Sequence, residues 1–295
     1  MNLSPPITRK EIKSMNDGKY GVIASSIASH TPRMAYEDKA WDFTLGLIDG
    51  LKEMGEILRG LKPDLFVVNT THWITTFDWV VTAHDQHEGV CIAEEAPHLI
   101  PGLPYSRPGN REYAEALGAQ LNDAEIPCYP TDTPHFHWDY GTAVPMQYID
   151  PDGTIPAVVT PTCYASDLDE NFKVGELIDA TAKKLKKRVV VVVSNALTHL
   201  VVRGPDTWPL PEHQEMDQKF ISMVKDTAID DAIKWLPEYA RDAKCEMGGR
   251  GLGVFLGAAA ALQRETESLA GNQYGPYAQS SASGNANLAL YTANA

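Results

Sequence analysis

No stretch of this 295-residue chain stays apolar for eighteen residues, so the sequence offers no membrane-spanning helix. Cysteine is sparse: Cys91, Cys128, Cys163 and Cys245 are scattered without a C-x-x-C pair. That excludes a zinc ribbon and argues against a disulfide framework, leaving free thiols of the kind found in cytoplasmic proteins. Basic residues are the minority, 25 against 39 acidic ones, for a net charge of −14. So acidic a balance disfavours phosphate backbones and anionic lipid, and neither nucleic acid nor a membrane is an expected partner. Internal repeats, a linker that would divide the chain, and the H-E-x-x-H helix of many zinc hydrolases are also missing. Residues 1–17 contain charges and Pro5-Pro6 but no apolar core of a secretion signal. Residues 1–18 therefore read as an N-terminal extension, and the expected location is the cytoplasm.

What is present points to a single α/β domain. The hydrophobic content of 43% allows a sizeable core. Residues 20–28 read as a buried strand, 38–59 as a helix with apolar positions at Trp41, Leu45, Ile48, Leu51 and Leu58, and 65–68 as a second strand. Strand, helix, strand is the start of an α/β fold. Further strands are expected at 79–82, 126–129 and 157–160, and helices at 111–124, 171–187, 213–226, 230–235 and 248–264. Residues 94–110 read as a proline-rich loop, and 135–141 as a polar-aromatic connection. The strongest strand is 188–193, whose five consecutive valines suit a strand covered on both faces. Residues 270–295, small and polar from 280 onward, read as a C-terminal tail that caps the fold or meets a partner.

Of nine histidines, His30, His72 and His199 share one placement, just past a hydrophobic run. The C-terminal ends of strands are where open α/β sheets bind ligands. His84 and His87 form H-x-x-H in a polar setting that reads as surface loop, His98 sits among prolines, and His213 opens a charged helix with no identifiable partner. Glu246, in Cys-Glu-Met-Gly-Gly-Arg-Gly, is followed by an apolar stretch. A carboxylate near a core needs a cation or hydrogen-bond donors, and the two glycines permit close backbone approach. Solvated surface fits Glu246 equally well on sequence context alone. Two histidines with one carboxylate are the ligand set of a non-haem Fe(II) facial triad, and also suit a hydrolytic zinc site.

The stretches Ala28-Ser29-His30-Thr31-Pro32, Thr71-His72-Trp73-Ile74-Thr75, Asp139-Tyr140-Gly141-Thr142, Ser194-Asn195-Ala196-Leu197-Thr198-His199 and the Glu246 region occur in that order. Together they resemble the class III extradiol ring-cleavage dioxygenases, the family of protocatechuate 4,5-dioxygenase catalytic subunits. The resemblance implies a mixed central sheet flanked by helices, Fe(II) bound by His30, His72 and Glu246, and His199 as the acid–base histidine. Many members carry Asp-His-Gly where this chain has Asp139-Tyr140-Gly141. The tyrosine makes the chain most similar to the catalytic subunit of 2-aminophenol 1,6-dioxygenases, with Tyr140 as a hydrogen-bond donor to substrate or oxygen. Asn195, His135 and His137 are the expected substrate contacts.

The implied reaction opens a 2-aminophenol or catechol ring with O2, beside the two heteroatom-bearing carbons, to a muconic semialdehyde. The implied partners are a small aromatic substrate, O2, and either further copies of the chain or a paralogous non-catalytic subunit. A zinc hydrolase and a non-catalytic relative on the same fold are the rivals. The aromatic residues Trp73, Phe77, Trp79, Trp138 and Tyr140 suit a planar substrate better than a hydrolase would need, and retention of His30, His72, His199 and Glu246 favours a catalytic chain over a non-catalytic relative.

Overall fold

The computed structural model describes residues 20–204, 206–266 and 268–292; the proposed extension 1–18 lies outside them. Along the chain run β1 (Gly21–Ala28), α1 (Asp42–Gly60), β2 (Leu65–Thr75), β3 (Trp79–Thr82), β4 (Gln86–Cys91), β5 (Leu103–Pro108), α2 (Arg111–Asp123) and β6 (Cys128–Thr131). Then follow α3 (Tyr140–Ile149), β7 (Ala157–Cys163), α4 (Leu168–Lys184), β8 (Arg188–Ser194), α5 (Pro211–Lys225), α6 (Ile229–Asp242), α7 (Arg250–Arg264), β9 (Leu269–Ser280) and β10 (Ser283–Thr292). Six strands form one mixed sheet in the order β7-β2-β8-β1-β10-β9. Strands β7, β2, β8 and β1 are parallel, while β10 is antiparallel to both β1 and β9.

The valine run explains the layering. β8 lies between β2 and β1, and its side chains alternate faces. Val189, Val191 and Val193 join one core with α2, α4, α5, α6 and α7; Val190 and Val192 join another with α1 and α3. A strand sandwiched this way has no polar face, which is why it reads as continuous valine. The helices of the first layer pack closely where side chains are absent: a Cβ on Gly175 of α4 would stand 2.3 Å from the Val254 carbonyl of α7. No helix among the described residues is long and apolar enough to cross a membrane.

Several elements differ from the sequence reading. Residues 270–292, read as part of a tail, belong to the β9–β10 hairpin, and β10 pairs directly with β1 inside the main sheet. Its residues are buried on both faces, so no period-2 alternation marks it. The connection at 135–141 runs into α3, an almost wholly buried helix with Pro145 inside it. The polar segment around His87 and the proline-rich loop hold the β4–β5 hairpin. Helix α6 continues through Pro237, beyond the expected end at residue 235.

Candidate metal centre

Parallel pairing puts the C-terminal ends of β1, β8 and β2 at one edge of the sheet. His30 follows β1 by two residues. The turn is held by Asn195, whose backbone N–H donates to the Ala28 carbonyl (3.1 Å), and by Asn287, whose amide oxygen accepts from the Ser29 N–H (2.9 Å). His72 lies within β2 rather than past its end. What frees it is a break in the ladder: β2 pairs with β7 at Asn69↔Thr160 and resumes only at Ile74↔Thr162. The residues between bow out of register, as in a β-bulge, which re-aims side chains near sites.

Glu246 arrives from the other direction. After α6 the chain pairs with the 197–199 segment: the Glu246 N–H donates to the Leu197 carbonyl (3.0 Å) and the His199 N–H to the Lys244 carbonyl (2.9 Å). Met247, Gly248 and Gly249 then all take positive φ, at 48°, 66° and 79°, turning the chain into α7. Two of these three left-handed positions are glycine, which adopts them without strain.

The three side chains converge. The Nε2 atoms of His30 and His72 are 3.1 Å apart, and Glu246 Oε1 is 3.4 Å from the first and 3.9 Å from the second. All three donor atoms lie within 4.8 Å of one another. Glu246 is 3% exposed; its Oε1 accepts from the Thr71 hydroxyl (3.0 Å) and its Oε2 from the Ala196 N–H (2.5 Å). Burial alone would raise its carboxyl, but His30, His199 and His72 overcome this and hold it down at about 2. Burial, reinforced by neighbouring His30, pushes the His72 imidazole down to about 3. A neutral imidazole and an ionised carboxylate are the protonation states in which these groups bind metal. Lone-pair atoms gathered in a buried place call for a cation between them, and two imidazoles with one carboxylate fit a divalent transition metal.

Two more predicted residues border this point. His199 Nε2 is 3.7 Å from Glu246 Oε1, with about a third of the side chain exposed. The Tyr140 ring lies against His72, centroids 4.0 Å apart, and 6.1 Å from His30. Burial first, then the facing Glu95 carboxylate, raise the Tyr140 phenol, which therefore stays protonated. Tyr140 opens α3, and the helix cap fixes it. The Asp139 carboxylate accepts from the Thr142 N–H and hydroxyl (3.0 Å each) and from the Thr70 hydroxyl (2.7 Å). Thr70 Oγ1 in turn accepts from the His72 N–H (3.2 Å). Gly141 is required at this junction, since a Cβ there would stand 2.6 Å from Thr70 Oγ1.

Two cavities share His72 and Tyr140 as a common wall. The smaller, about 220 Å³, is also lined by His30, His199, Ala196 and Val201. The larger, about 600 Å³, is lined by Val90, Ile92, Glu94, Glu95, His137 and Trp138 among others. His137 thus borders the larger cavity. His135 is exposed and lines neither. Asn195 is fully buried and lines neither cavity; its Nδ2 donates to the Ala196 carbonyl, and its Oδ1 would be 2.3 Å from a Cβ on Gly251.

Sequence reasoning missed Thr71, Ala196 and Glu95. The threonine doublet before His72 was a usable signal, whereas a backbone donor such as Ala196 leaves none. The reading of His87 as surface loop is corrected: it is 3% exposed and bonds the Ala157 carbonyl (3.2 Å). His213 is likewise buried, and its partner is the Thr198 hydroxyl (3.3 Å).

Known proteins are similar to this chain over most of its length. The family described as the catalytic LigB subunit of aromatic ring-opening dioxygenase matches residues 23–282. The chain is 26% identical over 202 residues to the 3,4-dihydroxyphenylacetate 2,3-dioxygenase of Escherichia coli, covering 66% of this chain and 73% of that one. It is 25% identical over 265 residues to the 2-aminophenol 1,6-dioxygenase beta subunit of a Pseudomonas species, covering 82% and 86% respectively. With the alpha subunit of that enzyme the identity is 22% over 237 residues, covering 78% and 86%. Among solved structures, an uncharacterized protein of Escherichia coli K12 superposes with a TM-score of 0.63 over 90% of this chain and 99% of its own. At 17% identity, that likeness concerns the fold alone.

Proposed function

The chain belongs to the LigB family of aromatic ring-opening dioxygenases, and from that premise we propose that it is an Fe(II)-dependent extradiol enzyme opening a 2-aminophenol or catechol ring. The observation that carries this reading is the gathering of His30, His72 and Glu246 donor atoms within 4.8 Å beside a cavity lined by Tyr140 and His199. Fe(II) bound there would supply the electron relay between ring and O2 that the oxygen triplet state otherwise hinders.

The chain's own residues supply the rest. Glu246 stays ionised because imidazoles surround it, and Thr71 and the Ala196 N–H fix its orientation. His199, bordering the same cavity, takes a proton from the substrate heteroatom and returns one as the ring opens. Tyr140 keeps its proton and donates a hydrogen bond at the wall shared by both cavities.

The linings also bear on the substrate. Glu94, Glu95 and Asp139 line the larger cavity, and no lysine or arginine is among the described residues lining either. Carboxylates facing a carboxylate repel, so this lining supports a ring without an anionic arm, with an amino group better matched than an acid. Buried free cysteines support a reducing, cytoplasmic setting. The alpha and beta subunits among the relatives support assembly with further copies or a paralogous subunit.

The test is oxygen uptake by iron-loaded protein with 2-aminophenol, catechol and 3,4-dihydroxyphenylacetate, followed by ultraviolet absorbance of the semialdehyde. The first two are expected to turn over faster, and none without O2. Oxygen-independent turnover, or no uptake with any aromatic, would sink the reading; fastest turnover of the carboxylated ring would sink the substrate order.

A further inference from the structure

A second buried carboxylate lies behind the 194–199 segment, away from both cavities described above. Asp217, on α5, is completely buried. Its Oδ1 accepts from the Tyr239 hydroxyl of α6 (2.6 Å), and its Oδ2 accepts from the Tyr277 hydroxyl of β9 (2.7 Å). The backbone N–H of Thr198 donates to the same carboxylate, at 3.1 Å from Oδ1 and 3.4 Å from Oδ2. The start of β10 closes over the group so tightly that a Cβ on Gly284 would be 2.1 Å from Oδ2.

Thr198 immediately precedes His199, so this carboxylate grips the backbone that carries the proposed acid–base imidazole. The rest of the segment is tied by main-chain bonds. The Leu197 N–H donates to the Gly284 carbonyl (2.8 Å), the Gly284 N–H to the Thr198 carbonyl (2.9 Å), and the His199 N–H to the Lys244 carbonyl. The Thr198 hydroxyl donates to the Ala243 carbonyl and lies 3.3 Å from His213 Nδ1. Asp217 is where three distant elements, α5, α6 and β9, meet that segment through one side chain.

The chemistry of the site argues against a purely space-filling role. Among the described residues the hydrogen-bond donors are two phenols and an amide, with no cation, and burying a carboxylate without a counter-charge is costly. An asparagine fills the same volume but cannot reproduce the pattern. Its NH2 would confront either the Thr198 N–H, which cannot accept, or a tyrosine hydroxyl that must reverse its bond. We propose that Asp217 is a positioning residue, which fixes the Thr198 amide so that His199 is held beside Glu246 and open to the cavity. The proposal rests on the reading of His199 as the acid–base group.

The test is a double-mutant cycle on iron-loaded protein comprising the wild type, D217N, H199F and the double variant. D217N is expected to keep its iron and its KM within about twofold while kcat falls about 10- to 100-fold, the size of effect a misplaced catalytic group produces. In the H199F background the same substitution is expected to cost less than about twofold, because there is no imidazole left to misplace. An equal loss in both backgrounds, or no loss in either, would overturn the proposal. If D217N does not fold, Tyr277→Phe removes one anchor of the carboxylate. It should lower kcat about threefold to tenfold, the worth of one hydrogen bond, and again only when His199 is present.

If the wild type is silent toward every aromatic offered, the proposed reaction fails while this inference stays testable by crystallography. The structure of D217N, or of Tyr277→Phe, is expected to show the His199 ring displaced from Glu246 or split between conformers. An unmoved ring would contradict the inference whatever the activity.

Discussion

Glu246 and Asp217 are both buried carboxylates, and both hold the 194–199 segment through a backbone N–H, that of Ala196 in one case and of Thr198 in the other. Their surroundings set them apart. Three imidazoles approach Glu246 and hold its carboxyl down at about 2 despite burial. Among the described residues, the hydrogen-bond donors to Asp217 are two phenols and an amide; burial prevails there and pushes the carboxyl up to about 6. Burial sets the cost of charge in both places, and the kind of neighbour decides whether it is offset. The first setting suits a metal ligand, and the second suits the proposed grip on backbone.

The comparison breaks most sharply at Glu246. Glu246→Ala is expected to leave the protein folded but without bound iron, and to bring turnover below detection, read by elemental analysis and oxygen uptake. His199→Phe should retain iron and lose about 10²- to 10⁴-fold in kcat, the usual worth of a general acid–base group. Iron loss in that variant would make His199 a ligand instead.

For Asp217 the folded-state pKa lies above the ordinary 3.8, so the fold favours the protonated form. Its stabilising contribution is therefore present in acid, below about pH 4, and is lost as pH rises through about 6, by roughly 3 kcal/mol at most. Urea unfolding from pH 4 to 7 should show wild type losing ground to D217N across that window. A flat difference would mean that the neutral neighbours keep Asp217 ionised after all. The smallest effect is expected for Tyr140→Phe, with iron unchanged and kcat/KM about threefold to tenfold lower, the worth of one hydrogen bond.

Much of this architecture was legible in the sequence, and the exceptions share a cause. The valines of β8 and the amphipathic α1 announced themselves through period and composition. Helix α3 and strands β9 and β10 did not. Tyr140–Ile149 is buried almost all round and contains Pro145, and β10 is covered on both faces, so neither shows an amphipathic period. The residues of the candidate site were legible to the same degree. His30 and His199 could be found from strand ends, and His72 from the same logic, although a broken ladder inside β2 is what exposes it. Glu246 gave no decisive local sign, because the imidazoles that hold it ionised come from residues 30, 72 and 199. Asp217 gave none for the same reason: its donors, Thr198, Tyr239 and Tyr277, are distant in sequence and meet only in the fold.

The most direct measurement is iron content together with oxygen uptake in wild type and His72→Ala, loaded with Fe(II) without air and assayed with 2-aminophenol. Wild type should bind about one iron per chain, the stoichiometry of a single facial triad, and consume O2 as the ring opens. His72→Ala should do neither. A His72→Ala protein that keeps both its iron and its turnover would contradict the assignment of His30, His72 and Glu246 as the metal centre.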